Sequence, residues 1–138
     1  MEIMNIEVLF VDQLDPVEVI ELYRANRWSS AQVPIKLVAG LLNSDALVVA
    51  KHNGRLIGLG NAISDGHLVV YYPHLLVHPD YQGHGVGKKI MQLMQTKYHA
   101  FHQQMLTADG DAVAFYQAVG FERAGQTTPM WIYQGDDH

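Results

Sequence analysis

Cysteine is absent from the 138 residues. The chain therefore has no disulfide framework and no thiolate of its own, which fits a reducing cytoplasm and excludes a covalent cysteine intermediate. Positive charge is scarce as well: 9 Lys and Arg against 14 Asp and Glu give a formal net charge of −5. No basic run exists to track a phosphate backbone, so nucleic acid is not an expected partner. An acidic balance mildly favours cationic partners such as amines. No apolar run approaches the roughly 20 residues of a membrane span. Met1-Glu2-Ile3-Met4 opens without the basic and apolar regions of an export signal. The expectation is a cytoplasmic protein with no membrane partner. Repeats, low-complexity tracts and linkers are missing too, so residues 1–138 read as one domain. A chain of that size buries roughly two-thirds of its unfolded surface without metal or disulfide support.

The most informative stretch is Leu75-Leu76-Val77-His78-Pro79-Asp80-Tyr81-Gln82-Gly83-His84-Gly85-Val86-Gly87-Lys88. An apolar strand-like run stops at Pro79, a glycine-rich turn follows, and helical spacing begins near Val86. Glycines at 83, 85 and 87 permit unusual backbone conformations and close approach of a ligand to the amides. At a helix start those amides are unpaired and the dipole adds positive potential, a combination that binds phosphate. Two well-known phosphate loops do not fit. A dinucleotide fingerprint needs G-x-G-x-x-G and an acidic residue about 20 positions on, whereas the spacing here is G-x-G-x-G and the region around Gln103 has no carboxylate. A P-loop needs Lys followed by Ser or Thr, and Lys88 is followed by Lys89.

A coarse reading places a strand at 2–11, then a helix begun by Asp15 as cap and Pro16 at its first position. A connection at Arg27-Trp28-Ser29-Ser30 leads to a second helix at 34–42. Strands at 46–51 and 55–63 are joined by Asn53-Gly54, a strong hairpin signal. Residues 67–77 form the long strand entering the glycine loop, with Pro73 at an edge, bulge or break because it cannot donate to a ladder. The main helix spans 85 to about 101, a short strand follows at 104–107, and 130–133 closes as a strand. Between them, Ala112-Val113-Ala114-Phe115-Tyr116-Gln117-Ala118-Val119-Gly120-Phe121 reads as a short helix. Gly120 suits the left-handed position past its end and Phe121 the apolar contact beyond.

The string Q-x-x-G-x-G after V-x-P (Val77, Pro79, Gln82, Gly85, Gly87) resembles the acetyl-CoA pyrophosphate loop of the GNAT N-acetyltransferase superfamily. The downstream A-x-x-F-Y-x-x-x-G-F string resembles the second acetyl-CoA motif of the same superfamily, in the right order and at a fitting distance. The resemblance implies a mixed α/β fold: a mostly antiparallel, twisted central sheet of about six to seven strands, flanked by about four helices and splayed at the acetyl-CoA cleft. It implies acetyl-CoA as co-substrate and an amine as acceptor. Leu76 and Val77 would offer backbone groups to the pantetheine arm, with Pro73 in the splayed part. Gln82, Gly83, His84, Gly85, Val86, Gly87 and Lys88 would hold the diphosphate, and Asp109, Ala112 and Phe115 would border the arm. Where the motif commonly has Asn, this chain has Asp109, which cannot donate as a carboxylate and with Gly110-Asp111 reads chiefly as a helix cap.

Acetyl transfer to an amine needs a neutral nucleophile, a polarised carbonyl and a stabilised leaving sulfur. An amine of pKa about 10.4 is neutral about once per 2,500 molecules at pH 7, equivalent to about 4.6 kcal/mol. Tyr116 is the candidate acid for the sulfur, since a phenol of pKa about 10 keeps its proton at neutral pH. For the base, the strand offers no carboxylate. His74 and Tyr71 are the candidates, with ordered water as an equal alternative. His67, His74, His78 and His84 never form the H-x-x-x-H pair of a zinc enzyme, so no metal is expected. The resemblance puts the acceptor pocket on the first two helices and last strands, where Trp28 and Trp131 would receive a small, apolar or aromatic amine. A non-catalytic acyl-CoA sensor and a protein or peptide acetyltransferase are the competing readings, and a homodimer is left open.

Overall fold

A computed structural model describes residues 5–137. The first strand, β1 (Ile6–Phe10), lies within the expected 2–11, of which Glu2, Ile3 and Met4 fall outside the described residues. Helix α1 (Pro16–Ala25) starts as its sequence dictates: Asp15 accepts from the Val17 amide at 3.0 Å and Pro16 supplies the first helical φ. A short 3₁₀ turn (Ser29–Gln32) leads to α2 (Pro34–Leu42). Strands β2 (Ala46–His52) and β3 (Arg55–Ser64) pair antiparallel, and their turn holds Asn53 at φ 51° and Gly54 at φ 80°, the primed geometry that an Asn-Gly pair favours. Then come β4 (Val69–Tyr71), β5 (Leu75–Val77), α3 (Val86–Lys97), β6 (Gln103–Met105) and α4 (Val113–Ala118).

The sheet runs β1-β2-β3-β4-β6, antiparallel except for the parallel β4–β6 pair, and β5 joins by pairing with β3. Helix α3 covers one face through Val86, Ile90, Met91 and Met94; α1 and α2 cover the other through Val19, Leu22, Leu37 and Leu41. The mixed fold with six strands and four helices agrees with the sequence expectation.

The expected long strand at 67–77 is broken in two. Tyr71 pairs with Ile63 and Val70 with Ser64, whereas Leu75 pairs with Gly60 and Val77 with Gly58, so one extra residue is accommodated around Pro73. The bulge switches faces. Val70 and Tyr72 pack on the α3 side before it, and Leu75 and Val77 do so after it, while Leu76 packs with α1 and α2. Two other expectations also shift. The main helix ends at Lys97 rather than near 101, capped by the Tyr98 amide on the Met94 carbonyl. The segment at 130–133 is not a strand: β6 remains the outer strand, and the tail is held by polar contacts to Ser29 instead.

Candidate active site

The pieces of the glycine loop are placed by three separate constraints. Gly83 and Gly85 take φ values of 83° and 79°, which L side chains rarely adopt. Val86, 2 % exposed, anchors the first turn of α3 in the core. Gly87 sits where packing is tight: a methyl added there would stand 3.3 Å from the Phe115 ring and 3.8 Å from Val77. Gly87 therefore draws α4 and β5 onto the start of α3, bringing the two sequence motifs together. Helix α3 has no side-chain cap, and its first intrahelical bond is Lys89 N–H to the Gly85 carbonyl at 3.1 Å. The amides of Val86, Gly87 and Lys88 consequently lack helical partners, the arrangement that receives an anion. His84, Lys88 and Lys89 are exposed beside them.

Gln82 is engaged within the protein itself. Its side-chain amide donates to the Val77 carbonyl at 3.0 Å and to Asn26 Oδ1 at 3.3 Å, bracing the loop against the end of β5 and the end of α1.

The break at Pro73 opens an edge. Asn61 N–H donates to the His74 carbonyl (3.1 Å) and His78 N–H to the Ile57 carbonyl (2.7 Å), so alternate residues of β5 turn their backbone toward β3. By the alternation of an antiparallel ladder, Leu75 and Val77 aim theirs the opposite way. There β6 does not follow, because it pairs only with Val69–Tyr71 of β4. Leu76, named above for this role, instead uses its backbone groups on β3. A residue missed in sequence holds the break: Asn61, 5 % exposed, accepts from the His74 amide at 3.0 Å and donates to Ser44 Oγ at 3.0 Å. An amide side chain in the otherwise apolar run Leu59-Gly60-Asn61-Ala62-Ile63 was the available signal.

Tyr116 sits half-buried on α4, its ring edge-on to Phe115 (5.0 Å) and Phe121 (6.0 Å). Burial, reinforced by the Asp109 carboxylate, holds its phenol above the ordinary value, so it remains a proton donor throughout the neutral range. Asp109 gives its turn a backbone carbonyl (Ala112 N–H at 2.8 Å) but no side-chain cap, contrary to its expected capping role. Ala112 ends that turn and is partly covered.

His74 is less suited to accept a proton. Burial lowers its imidazole from 6.5 to about 4. Tyr23 Oη lies 2.7 Å from His74 Nδ1, and burial raises the Tyr23 phenol far above its usual value. Tyr23 therefore keeps its proton, and with that proton assigned to the shared hydrogen bond Nδ1 is the acceptor. That assignment, made from the network, leaves the imidazole hydrogen on Nε2 and the ring's lone pair occupied. Trp28 closes the other side, edge-on at 5.1 Å. Tyr71 is 40 % exposed on β4 and apart from this cluster. Trp131 is 65 % exposed and stacked on Tyr133 at 4.3 Å; Tyr133 meets Ser29 Oγ at 2.9 Å, so the tail reaches the connection that carries Trp28. Among the described residues no group of three His, Cys, Asp or Glu could hold a metal, and no helix is long and apolar enough to cross a membrane.

Comparison with known proteins supplies the family and the fold. The profile of the acetyltransferase (GNAT) domain matches residues 16–130. An uncharacterized ycf52-like N-acetyltransferase of Prochlorococcus marinus is 31 % identical over 130 residues, covering 88 % of this chain and 71 % of its own. The chain spans about half the length (55 %) of further curated relatives it matches. A GNAT family acetyltransferase of Streptococcus pneumoniae TIGR4 superposes with a TM-score of 0.82 at 25 % identity, over 94 % of this chain and 99 % of that one. An aminoglycoside N-acetyltransferase in complex with CoA gives 0.70 at 18 % identity, over 96 % of each, a likeness of fold alone.

Proposed function

The chain belongs to the GNAT acetyltransferase family, and we propose that it moves an acetyl group from acetyl-CoA directly to the primary amine of a small molecule, with both substrates bound at once. The observation that carries this reading is the outward edge of β5, which no strand pairs among the described residues, with the uncapped start of α3 and the Tyr116 helix packed against it. A pantetheine arm has amides that would hydrogen-bond Leu75 and the Val77 N–H as a short added strand would, beside the Val77 carbonyl that Gln82 holds. Its diphosphate would lie on the amides of residues 83–88, flanked by Lys88 and His84.

The amine nitrogen attacks the thioester carbonyl carbon; the C–N bond forms and the C–S bond breaks. The departing sulfur takes the phenolic proton of Tyr116, which solvent replaces. One ammonium proton leaves through ordered water before the attack and the second nitrogen proton follows the same route after it, because His74 is occupied by Tyr23 and too weakly basic to take either. Trp28, with Trp131 and Tyr133 of the tail, supports an acceptor bearing an apolar or aromatic group. The aminoglycoside N-acetyltransferase of the same fold supports a small-molecule acceptor. A second copy of the chain is the proposed partner. Met130 and Ile132 are 91 % and 96 % exposed on an extended tail, while β6 leaves an outer sheet edge open among the described residues.

A thiol-release screen over aryl amines, polyamines, aminoglycosides and peptide N-termini tests the reading. With a good acceptor, Tyr116→Phe is expected to lower kcat by about 10² to 10⁴, with acetyl-CoA affinity unchanged by calorimetry. A loss below about threefold removes the acid role from Tyr116. Acetyl-CoA binding without CoA release for any amine replaces the enzyme with an acyl-CoA-binding module, and release with peptides alone replaces the small-molecule acceptor.

A further inference from the structure

Helices α1 and α4 end in the same pattern of hydrogen bonds. After α4, Phe121 N–H donates to the Tyr116 carbonyl (3.0 Å) and Gly120 N–H to that of Gln117 (3.1 Å), with Gly120 at φ 103°. After α1, Trp28 N–H donates to the Tyr23 carbonyl (3.1 Å) and Arg27 N–H to that of Arg24 (3.0 Å). The residue in glycine's place is Arg27, at φ 60°. Glycine is favoured at this left-handed position, and an L side chain is strained there. A helix-end dipole would welcome a cation anywhere in the last turn, and Arg24 already supplies one. The strained arginine calls for another explanation.

Arg24 and Arg27 open onto a cleft of about 330 Å³ lined also by Trp28, Ala31 and Gln32. Among the described residues neither guanidinium has a carboxylate in ion-pair range. The tail brings Asp137 close to this end, but its carboxylate accepts from Ser29 N–H (3.1 Å), Ser29 Oγ (2.8 Å) and the Tyr133 hydroxyl. The cleft thus keeps two planar donors, a neutral amide and an indole face, and Trp28 is the wall between it and His74. Two guanidiniums lining one cleft with an aromatic ring suit a carboxylate or phosphate on a short organic chain.

We propose that this cleft is an anion subsite for the acceptor: the amine carries a carboxylate or phosphate at its far end, held by Arg24 and Arg27, with Trp28 along the intervening chain. The proposal rests on the acetyl-transfer reading above and narrows it to a substrate class opposite in charge to what the acidic composition suggested.

Matched pairs of primary amines test it with the full chain and saturating acetyl-CoA: 4-aminobutyrate against butylamine, and O-phosphoethanolamine against ethanolamine. The anionic member of at least one pair is expected to show a kcat/KM higher by roughly tenfold or more. Arg27→Gln is expected to erase that advantage, and acetyl-CoA affinity by calorimetry should stay within about twofold. Equal or better turnover of both neutral members overturns the subsite. So does an Arg27→Gln loss confined to acetyl-CoA affinity, which would assign the arginines to a coenzyme phosphate. A readout independent of turnover separates failure of the subsite from failure of the enzyme reading. In a Trp131→Phe background, inorganic phosphate and 4-aminobutyrate should change Trp28 fluorescence saturably, and Arg27→Gln should abolish the change. No saturable change with either ligand overturns the subsite even if amines are acetylated; saturation without acetylation of any amine overturns the enzyme reading alone.

Discussion

Lowering the pH from 7 to 4 should destabilise the fold by about 3 kcal/mol more in the native chain than in His74→Gln. His74 stands at about 4 in the folded protein against an ordinary 6.5, with burial as the cause. As the pH falls through 6.5 the unfolded chain takes up a proton that the folded chain refuses until about 4. The depressed folded value means that stability present above 6.5 is lost progressively down to 4. At 1.36 kcal/mol per pH unit, that interval corresponds to about 3 kcal/mol. Glutamine keeps an oxygen to accept from Tyr23 but cannot titrate, so the carboxylates and exposed histidines cancel in the difference. Urea unfolding of both chains at half-unit pH steps measures it directly. Curves that stay parallel within about 0.5 kcal/mol across the window would mean that the ring is solvated and the proton assignment at Tyr23 is wrong. The same values bear on catalysis, because a base near 4 faces an ammonium near 10.4 and is a poor acceptor. His74→Gln should therefore reduce kcat less than about tenfold, whereas a loss of 10² or more would return His74 to the role of base.

Gly87→Ala places a methyl against the Phe115 ring; we expect overpacking of about 1–3 kcal/mol and an acetyl-CoA affinity reduced about tenfold, rescued by adding Phe115→Leu. Unchanged calorimetry for Gly87→Ala alone would show that α4 is not positioned by that contact. Asn61→Leu leaves the His74 amide and Ser44 without their partner, at a cost of about 1–3 kcal/mol. It should also raise KM for acetyl-CoA as the bulge relaxes, and equal urea midpoints and KM in the two chains would contradict this account of the break. For the paired copies, sedimentation should detect a dimer that Ile132→Glu converts to monomer; a native chain that stays monomeric across concentrations excludes the pairing.

Much of this site was legible in the linear order of residues because its chemistry is local. Positive φ at Gly83 and Gly85, the bonds ending α4 at Gly120 and the hairpin at Asn53-Gly54 each depend on a few consecutive residues. The order of the two motifs was likewise enough to anticipate the family. The roles of Gln82 and His74 could not be read that way. Their partners lie on other elements: Asn26 and Val77 for one, Tyr23, Trp28 and Asn61 for the other. The apolar run at 130–133 misled for a related reason, since β-favouring residues allow a strand but only a neighbouring edge makes one.

By itself, then, the order of residues determined most of the elements, the left-handed glycine turn that leaves the first amides of α3 without helical partners and the family, because short-range sterics and hydrogen bonding decide those. Only the tertiary structure decided which backbone edge is open, where the imidazole keeps its hydrogen and that two arginines share a cleft. Desolvation and convergence of distant side chains are properties of packing, and packing has no one-dimensional signature.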